Sequence, residues 1–369
     1  MKIAFIAIRG KNWGGGFTTY VERIGGELTR RGHEVTVYTS RHYGSVDGDY
    51  QGKYRVITVP SINTKHLLRL SLTFNASLKQ MFRRYDIAHY LLVETSLFAL
   101  LAKWTGKRVV VQSHGIDHRR AKWGKGTAAG MRFLERLSLN IGDALTVVSP
   151  DVRQYYRDVH HKETAFIPPA VEIPNRVPPQ LITQAYGLKG GDYYLYLGRM
   201  VPEKRADTLI RAFKTLRTDK RLILAGDDTG TDSYLQSLKA LAAGDERIRF
   251  TGLVTGQLKE ELYSNAFAFV LPSALEGLAA TMLEAMSYQT CCLVSDIPEN
   301  LYVAEGKAFV FRGGDAEHCA QVMQTMERQP QLCADYAQKA YRHVCANYTL
   351  EKIVDQLEAL YGSIVRKQV

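Results

Sequence analysis

Short apolar segments alternate with amphipathic ones along the first half of the chain. The segments "KIAFIAI", "EVTVYTS", "YDIAHYL", "KRVVVQS" and "ALTVVS" have the apolar, β-rich character of buried strands, while "TYVERIGGELTRRG" has helical spacing. Strands that alternate with helices predict right-handed crossovers and a parallel sheet. We therefore expect a Rossmann-like α/β domain over residues 1–180.

The same alternation resumes after a stretch rich in proline. Residues 168–190 contain five prolines, which disfavour helix and sheet alike, and we place the interdomain linker there. The later segments "DYYLYLGR", "RLILAGD", "IRFTGLV", "AFAFVLPS" and "CCLVSD" predict a second α/β domain over residues 181–348. Residues 349–369 have apolar positions at helical spacing and predict a C-terminal helix.

The composition is typical of a globular protein without a membrane-spanning segment. The chain has 369 residues, of which 46% are hydrophobic and 23% charged, as in a soluble globular protein. Its apolar runs stay well below the roughly 18 residues that a membrane span requires. The five cysteines are odd in number and include no C-x-x-C pair, which favours a reduced, cytoplasmic protein without a zinc site.

Positive charge is concentrated in the first half. Of the formal net charge of +11, residues 1–180 contribute 27 Lys and Arg against 14 Asp and Glu, whereas residues 181–369 hold 21 against 23. A surface of this charge attracts phosphates, an anionic membrane or nucleic acid. Two basic amphipathic stretches, 65–85 and 118–137, fit either interfacial helices on anionic lipid or ordinary surface helices whose apolar side faces the core.

One candidate anion site lies in the segment "YLYLGRMVPEKRADTLIRAF". A predicted strand ends at Gly198, Arg199 follows at its tip, and Lys204 and Arg205 precede the next helix. Three cations at one end of a sheet suit a diphosphate, whose charge they would neutralise as it leaves. The alternative is a solvated basic loop.

A second candidate is the segment "PSALEGLAATMLE". We expect a helix to begin near Leu278, with free N–H groups for an anion and with Gly277 allowing close backbone approach. Glu276 would either cap this helix or accept bonds from sugar hydroxyls. Glu284 lies inside the helix among apolar residues. Eight helical residues span about 12 Å, so the two glutamates could hold a sugar and a ribose.

Weaker signals come from the first half. Gly15 and Gly16 lie in "NWGGGFTTY", between the first strand and helix, where a loop can cradle a phosphate or form a plain tight turn. His114 ends the strand of "RVVVQSHGID", at the carboxyl end of the sheet where ligands bind. Asp117 and His89 are further candidates, and neither forms a triad with an evident Ser or Cys nucleophile.

These motifs together resemble the GT-B glycosyltransferases of family 4 over nearly the whole chain. The segment "EGLAATMLE" is similar to the E-x7-E motif of that family, and "GRMVPEKR" is similar to its donor-diphosphate segment. The resemblance implies a GT-B fold, in which two Rossmann-like domains face a central cleft and a C-terminal helix returns to the first domain. Within the family, "SHGIDHRRAKWGK" and "EAMSYQTCCLVSDIPEN" look most like bacterial enzymes that build cell-surface polysaccharides.

The resemblance also implies roles for the donor-binding residues. Arg199 and Lys204 would bind the diphosphate of a nucleotide-sugar, and Glu284 the ribose. Glu276, with Gly277 and the backbone amides near Leu278 and Ala279, would hold the transferred sugar. His114 would lie beside that sugar, so that the predicted catalytic residues are His114, Glu276, Arg199 and Lys204. Gly15 and Gly16 would lie near the phosphate or the acceptor.

Such enzymes retain the anomeric configuration and need neither a metal nor another cofactor. The implied acceptor is a carbohydrate or a lipid-linked saccharide, and the implied location is the cytoplasm, with peripheral binding to the inner membrane face as a further expectation. Two departures from the family concern Leu278 and Ala279, where Phe-Gly is common, and Gln289, where glycine is usual.

The sequence is therefore compatible with three functions. The first is a retaining transferase that moves a hexose from an NDP-sugar to an acceptor hydroxyl. The second is a non-hydrolysing NDP-sugar epimerase, which resembles the same architecture but needs no acceptor. The third is a nucleic-acid-binding protein that uses the basic half, although the sequence has no aromatic platform or recognition-helix motif, and we expect no nucleic-acid partner.

Overall fold

The computed structural model describes residues 1–8, 16–44, 46–50, 52–64, 67–115, 125–226 and 232–366. The chain divides into two compact units, one formed by Met1–Ala170 with Leu350–Val369 and the other by Val171–Thr349. Each is an α/β unit built on a largely parallel sheet. The Rossmann-like character predicted for both halves is confirmed.

The first unit contains a sheet of eight strands in the order β3-β4-β2-β1-β5-β6-β7-β8. The strands are β1 Lys2–Ile8, β2 Glu34–Ser40, β3 Gly48–Tyr50, β4 Tyr54–Val59, β5 Ile87–Tyr90, β6 Arg108–Ser113, β7 Ala144–Val147 and β8 Ala165–Phe166. All pairs are parallel except β3 with β4. The edge strand β3 and its neighbour β4 were not predicted.

Helices cover this sheet and bury the apolar residues of its strands. They are α1 Gly16–Arg30, α2 Leu67–Met81, α3 Leu100–Trp104, α4 Lys125–Leu139 and α5 Pro150–His160, with 3-10 turns at Arg41–Tyr43 and Val93–Ala99. Helix α1 forms because Val21, Ile24 and Leu28 recur at helical spacing and are fully buried against the sheet. A second core lies around α2 and α3, where Leu72, Ala76 and Ala102 pack.

The second unit has six parallel strands in the order β11-β10-β9-β12-β13-β14. They are β9 Tyr193–Leu197, β10 Arg221–Ala225, β11 Ile248–Gly252, β12 Ala268–Leu271, β13 Cys292–Ser295 and β14 Phe309–Phe311. The helices are α6 Leu181–Tyr186, α7 Ala206–Thr215, α8 Asp232–Ala242, α9 Gly256–Asn265, α10 Ala280–Ser287, α11 Pro298–Ala304, α12 Ala316–Arg328 and α13 Pro330–Asn347, with a 3-10 turn at Pro202–Lys204. Apolar residues pack on both sheet faces.

The proline-rich stretch that was predicted to be a linker contains a helix. Helix α6 forms inside it, because the prolines precede the helix and Gly187 ends it in the left-handed region at φ 66°. Residues 171–180, assigned to the N-terminal domain from the sequence, belong with the second unit. The Gln180 N–H donates to the Glu261 carboxylate at 2.8 Å, and the Val171 N–H donates to the Tyr348 carbonyl at 2.9 Å.

The C-terminal helix α14, Leu350–Arg366, belongs to the first unit, as the predicted GT-B fold requires. Its residues Ile353, Leu357 and Tyr361 are fully buried in the core that also holds α1. At the surface, the Arg31 guanidinium at the end of α1 donates to Glu358 at 2.6 Å. None of the helices in the described ranges combines the length and the apolar character of a membrane span.

Candidate active site

The donor-site residues predicted from the sequence lie at one place in the second sheet. From β9 the chain runs outward through β10 and β11 and then returns to β12 on the other side of β9. The loops that follow β9 and β12 therefore diverge at their carboxyl ends, which is where open parallel sheets bind ligands. One loop carries Arg199 and Lys204, and the other carries Ser273 and Glu276.

The backbone at the end of β9 is held closely against β10. The Gly198 N–H donates to the Ala225 carbonyl at 3.0 Å. Gly226 adopts φ +132°, and a Cβ atom there would lie 1.9 Å from the Gly198 carbonyl oxygen, so only glycine fits. Gly198 is thus fixed, and the exposed side chain of Arg199 follows at the tip of the strand.

The side chain of Tyr196 stabilises the end of strand β9. Its buried hydroxyl donates to the Arg199 carbonyl at 2.9 Å, which holds the turn after β9. Burial, and after it the nearby Glu276 carboxylate, raise the pKa of Tyr196 well above its usual range, while Arg199 acts in the opposite direction. Tyr196 therefore remains a neutral donor between an anionic and a cationic side chain.

Lys204 and Glu276 form an ion pair between the two loops. The Lys204 Nζ donates to Glu276 Oε1 at 2.5 Å, and the side chains are only 16% and 7% exposed. The Ser273 hydroxyl donates to the same oxygen at 2.7 Å. A carboxylate with two donors in a partly dehydrated position is held in a fixed orientation.

A backbone bond joins the loops independently of this pair. The Ala274 N–H donates to the Glu203 carbonyl at 2.9 Å, so the segment with Lys204 and the segment with Glu276 move together. Arg205 adopts the left-handed conformation at φ 52° as helix α7 begins. Its guanidinium lies against Gly314, where a Cβ atom would be 3.2 Å from Nη2. Arg205 is therefore directed toward the loop after β14.

Helix α10 begins later than predicted. Its N-cap is Ala279, which has no polar side chain, and the first helical residue is Ala280. Glu276 lies four positions before the helix, so the interpretation of Glu276 as the helix cap is wrong. The separation of about 12 Å, which assumed a continuous helix from Glu276 to Glu284, does not apply either.

The side chains between Glu276 and helix α10 face the core of the unit. The side chains of Leu278 and Ala279 are 7% and 1% exposed and lie in the apolar core of the unit. The Ala280 N–H donates to the Leu278 carbonyl at 2.8 Å, which makes a tight turn at the helix start. Leu278 and Ala279 therefore depart from the family pattern at side chains that face the core, while the predicted role of their backbone amides remains a prediction.

Glu284 has partners on the neighbouring helix. Its Oε2 lies 2.8 Å from the Lys259 Nζ of α9, and the Tyr263 hydroxyl donates to the same oxygen at 3.3 Å. The carboxylate is only 11% exposed, against 28% for Lys259. A charge inside a mostly apolar helix is tolerated because an opposite charge lies next to it. Lys259 was not predicted, since its place in an amphipathic helix gave no signal of this contact.

Gln289, where the family usually has glycine, adopts φ 56° in the turn after α10. The Gln289 N–H donates to Met286 and the Thr290 N–H to Ala285, at 3.1 and 3.0 Å. These bonds form the usual left-handed end of a helix. The substitution therefore leaves the turn in a conformation that glycine adopts at lower cost.

His114 lies in the first unit, directly after β6, and is partly exposed. Its ring packs edge-on against Tyr20 of α1, with ring centroids 5.7 Å apart. The adjacent Ser113 hydroxyl accepts a bond from Tyr156 at 3.1 Å, which fixes the end of the strand. Gly16 is the first residue of α1, whereas Gly15 and Asp117 lie outside the described residues.

His89 is not a surface site residue. It is fully buried in β5, where its Nδ1 is 2.6 Å from the Tyr361 hydroxyl of α14. Burial, and after it the charge of His114, lower the pKa of His89 to about 3, while Gln112 opposes the shift. The imidazole is therefore neutral in the core, and its interpretation as a candidate site residue is wrong.

Comparison with known proteins agrees with this arrangement. The sequence model described as "Glycosyl transferases group 1" matches residues 181–343, and that described as "Glycosyltransferase Family 4" matches residues 14–173. The chain is 28% identical over 297 residues to a GDP-mannose-dependent alpha-(1-6)-phosphatidylinositol monomannoside mannosyltransferase of Mycolicibacterium smegmatis, which covers 73% of this chain and 74% of that protein.

Solved structures share the fold across both units. Sucrose-phosphate synthase from Thermosynechococcus elongatus superposes with a TM-score of 0.85 at 20% identity, over 99% of each chain. Anabaena Alr3699/HepE, solved in complex with UDP and glucose, superposes with a TM-score of 0.82 at 18% identity, over 98% of this chain and all of that one. The chain therefore belongs to the group 1, family 4 glycosyltransferases with the GT-B fold, and it is a transferase.

Proposed function

We propose that this glycosyltransferase moves a hexose from an NDP-sugar to an acceptor hydroxyl with retention of the anomeric configuration. The observation that carries the proposal is the ion pair of Lys204 with Glu276, which lies where the loops after β9 and β12 diverge. A cation and a carboxylate held side by side suit a ligand that is anionic at one end and rich in hydroxyls at the other. A nucleotide-sugar is such a ligand.

In this mechanism the donor diphosphate replaces Glu276 as the ion-pair partner of Lys204. The exposed Arg199 and the Lys204 Nζ stabilise the negative charge that develops on the leaving nucleotide. Glu276 is then released from Lys204 but remains oriented by Ser273, 2.7 Å away, and accepts bonds from the sugar hydroxyls. The backbone near Gly277 and Ala279 approaches the same sugar.

Retention follows if departure and attack occur on one face of the sugar. The cations stabilise the diphosphate as its bond to the anomeric carbon breaks. The acceptor hydroxyl attacks the oxocarbenium-like sugar on the side that the diphosphate vacates, and its proton passes to the departing diphosphate. His114, partly exposed at the end of β6, would lie beside the transferred sugar. Glu284 would hold the ribose, and no metal or other cofactor is required.

The sugar and acceptor classes are supported by relatives. A mannosyltransferase that uses GDP-mannose and a phosphatidylinositol monomannoside favours a hexose donor and a lipid-linked acceptor for this chain as well. We place the enzyme in the cytoplasm, at the inner membrane face where such acceptors are presented. The epimerase alternative, and with it the nucleic-acid alternative, is disfavoured by the match of both halves to glycosyltransferase families.

The experiment is an assay of the purified protein with GDP-, UDP-, ADP- and dTDP-hexoses in EDTA, with and without a lipid extract as acceptor. We expect one donor to release its nucleotide, and only when acceptor is present. Proton NMR of the product should show the same anomeric configuration, axial or equatorial, as the sugar had in the donor. An epimerised sugar without acceptor would support the epimerase instead. An inverted linkage would overturn retention.

A further inference from the structure

Helix α2 is apolar on two opposite sides. Leu68, Leu72 and Ala76 face the core and are at most 4% exposed. The other side carries Leu67, Leu70, Phe74 and Leu78, at positions i, i+3, i+7 and i+11, and these are 37–46% exposed. A helix that only covers a sheet needs one apolar stripe. Packing against the sheet therefore does not explain the outer stripe.

Neighbouring residues extend this stripe into a surface. Phe82, just beyond the end of α2, is 83% exposed, and so is Trp104 at the end of α3. The two helices contact each other, and the Phe74 ring packs edge-on against Phe98 at 5.4 Å between centroids. We call Leu70, Phe74, Leu78, Phe82, Leu100 and Trp104 the α2–α3 surface. Exposed aromatic and aliphatic side chains grouped in this way mark an interaction site.

Cations outnumber carboxylates along α2 and its end. The sequence contains no Asp or Glu from residue 51 to residue 85, and the exposed Arg83 and Arg84 follow Phe82 directly. The first carboxylate beyond them, Asp86, accepts a bond from the Lys2 backbone N–H at 2.7 Å. The α2–α3 surface is thus bordered by arginines in a unit that is strongly basic overall.

We propose that the α2–α3 surface docks on an anionic lipid bilayer, with Phe82 and Trp104 inserted among the lipids and Arg83 and Arg84 at the headgroups. Apolar side chains next to cations match the boundary between acyl chains and anionic headgroups. Two copies meeting symmetrically through this surface would bring four arginines together. Nucleic acid would leave the leucine stripe in water.

This docking deepens the proposed function, since a lipid-linked acceptor lies at such a bilayer, but it does not depend on the transfer reaction. A vesicle-binding experiment therefore tests it separately. The full-length protein is sedimented with vesicles of phosphatidylcholine alone and with vesicles that contain phosphatidylglycerol. We expect binding to the second only, weakened about tenfold or more by Phe82→Ser and by Trp104→Ser, because burial of a large apolar side chain is of that magnitude.

Matched variants separate the contributions. Leu301→Ser removes an apolar side chain that is 42% exposed in the second unit, and it is expected to bind as the parent protein does. Arg83→Glu/Arg84→Glu is expected to abolish binding, whereas Arg211→Glu/Arg217→Glu, an equal charge change at exposed positions of the second unit, is expected to reduce it only slightly. Unchanged melting temperatures show that the variants are folded.

A direct reading comes from tryptophan fluorescence. The chain has three tryptophans, and Trp13→Phe/Trp123→Phe leaves Trp104 alone. Its emission should shift to the blue and be quenched by brominated lipid when anionic vesicles are added. Equal binding of Trp104→Ser, absence of binding to anionic vesicles, or a larger mass in solution that Phe82→Ser abolishes would each overturn the proposal. So would salt-dependent binding to DNA in place of lipid.

Discussion

Lys204 and Glu276 lie 72 positions apart in the chain, and their charged atoms are 2.5 Å apart in the folded unit. Each belongs to a loop at the carboxyl end of a central strand, and the Ala274 to Glu203 backbone bond keeps those loops together. The pair holds two charged groups in place before a ligand binds. A ligand that offers an anion to the lysine and hydroxyls to the glutamate can replace this contact without leaving either charge unpaired.

The first prediction concerns Lys204. Lys204→Met should lower kcat by about a hundredfold or more, because the leaving diphosphate loses a cation in the transition state. It should also lower the free energy of unfolding by about 2–3 kcal/mol, because Glu276 remains mostly buried without its partner. Steady-state kinetics and urea unfolding measure the two effects.

The double variant separates stability from catalysis. Lys204→Met/Glu276→Gln should regain much of the lost stability, because Ser273 can still bond to the amide, yet it should remain inactive. Arg211→Ala is the matched control, since it removes an exposed cation inside helix α7, which follows the loop of Lys204. A fully active Lys204→Met, or an Arg211→Ala that is equally inactive, would argue against the assignment of Lys204.

The second prediction concerns Glu284 and Lys259. Glu284→Gln should weaken binding of the nucleoside diphosphate about tenfold, because a neutral amide is a poorer acceptor for ribose hydroxyls. Lys259→Met leaves Glu284 charged and mostly buried, so it should lower stability more than Glu284→Gln does. Titration calorimetry with the nucleotide and urea unfolding provide the comparison, and equal nucleotide affinity in Glu284→Gln would contradict the ribose role.

The sequence predicted the strands that carry the donor site well. Strands β9, β10, β12 and β13 are continuous apolar runs because both of their faces are covered, and such runs are easily recognised. The turn-like strand β3 and the short strand β14 were missed, since three residues give no periodicity. Helix α6 was missed because the whole proline-rich stretch was interpreted as a linker, although the helix begins after the last of its prolines.

The third prediction concerns Gln289. Gln289→Gly should raise the free energy of unfolding by up to about 1 kcal/mol, because the native φ of 56° is unfavourable for a side chain with a Cβ atom. Gln324→Gly, at an exposed position inside helix α12, should have the opposite effect and cost about 1 kcal/mol. Thermal or urea unfolding of the two variants tests this, and a destabilised Gln289→Gly would show that the side chain itself is needed.

The fourth prediction concerns the pH dependence of stability. The folded pKa of His89, about 3, lies below its ordinary value of 6.5. Above pH 6.5 the imidazole is neutral in both the folded and the unfolded state, so it does not change the free energy of unfolding. As the pH falls toward 3, the unfolded chain binds a proton at His89 that the folded protein does not. Stability should therefore decline over this window, by up to about 1.4 kcal/mol per pH unit from this residue.

The variant His89→Asn removes that contribution. Its stability at pH 7 should be lower than that of the parent protein, because the bond to Tyr361 is disturbed, but its decline between pH 6.5 and pH 4 should be shallower. Identical slopes in His89→Asn and the parent protein would show that another group governs acid stability.

The candidate site was predicted in its residue types but not in its contacts. The spacing of Glu276 and Glu284 and the cations after β9 were visible because each stood out against an apolar or strand-ending context. The pairing of Lys204 with Glu276, the support from Ser273 and the contact of Lys259 with Glu284 depend on how separate loops and helices meet. A single sequence gives no signal for such long-range contacts.

The most direct test of the central claim is the binding of the NDP-sugar to the whole protein in EDTA, measured by titration calorimetry. We predict that one NDP-hexose binds without metal. Binding should fall about tenfold or more in both Lys204→Met and Glu276→Gln, because each variant loses a charged contact to the donor. Arg211→Ala, at an exposed position of α7, should bind as the parent protein does. Metal-dependent binding, or undiminished binding in Lys204→Met, would contradict it.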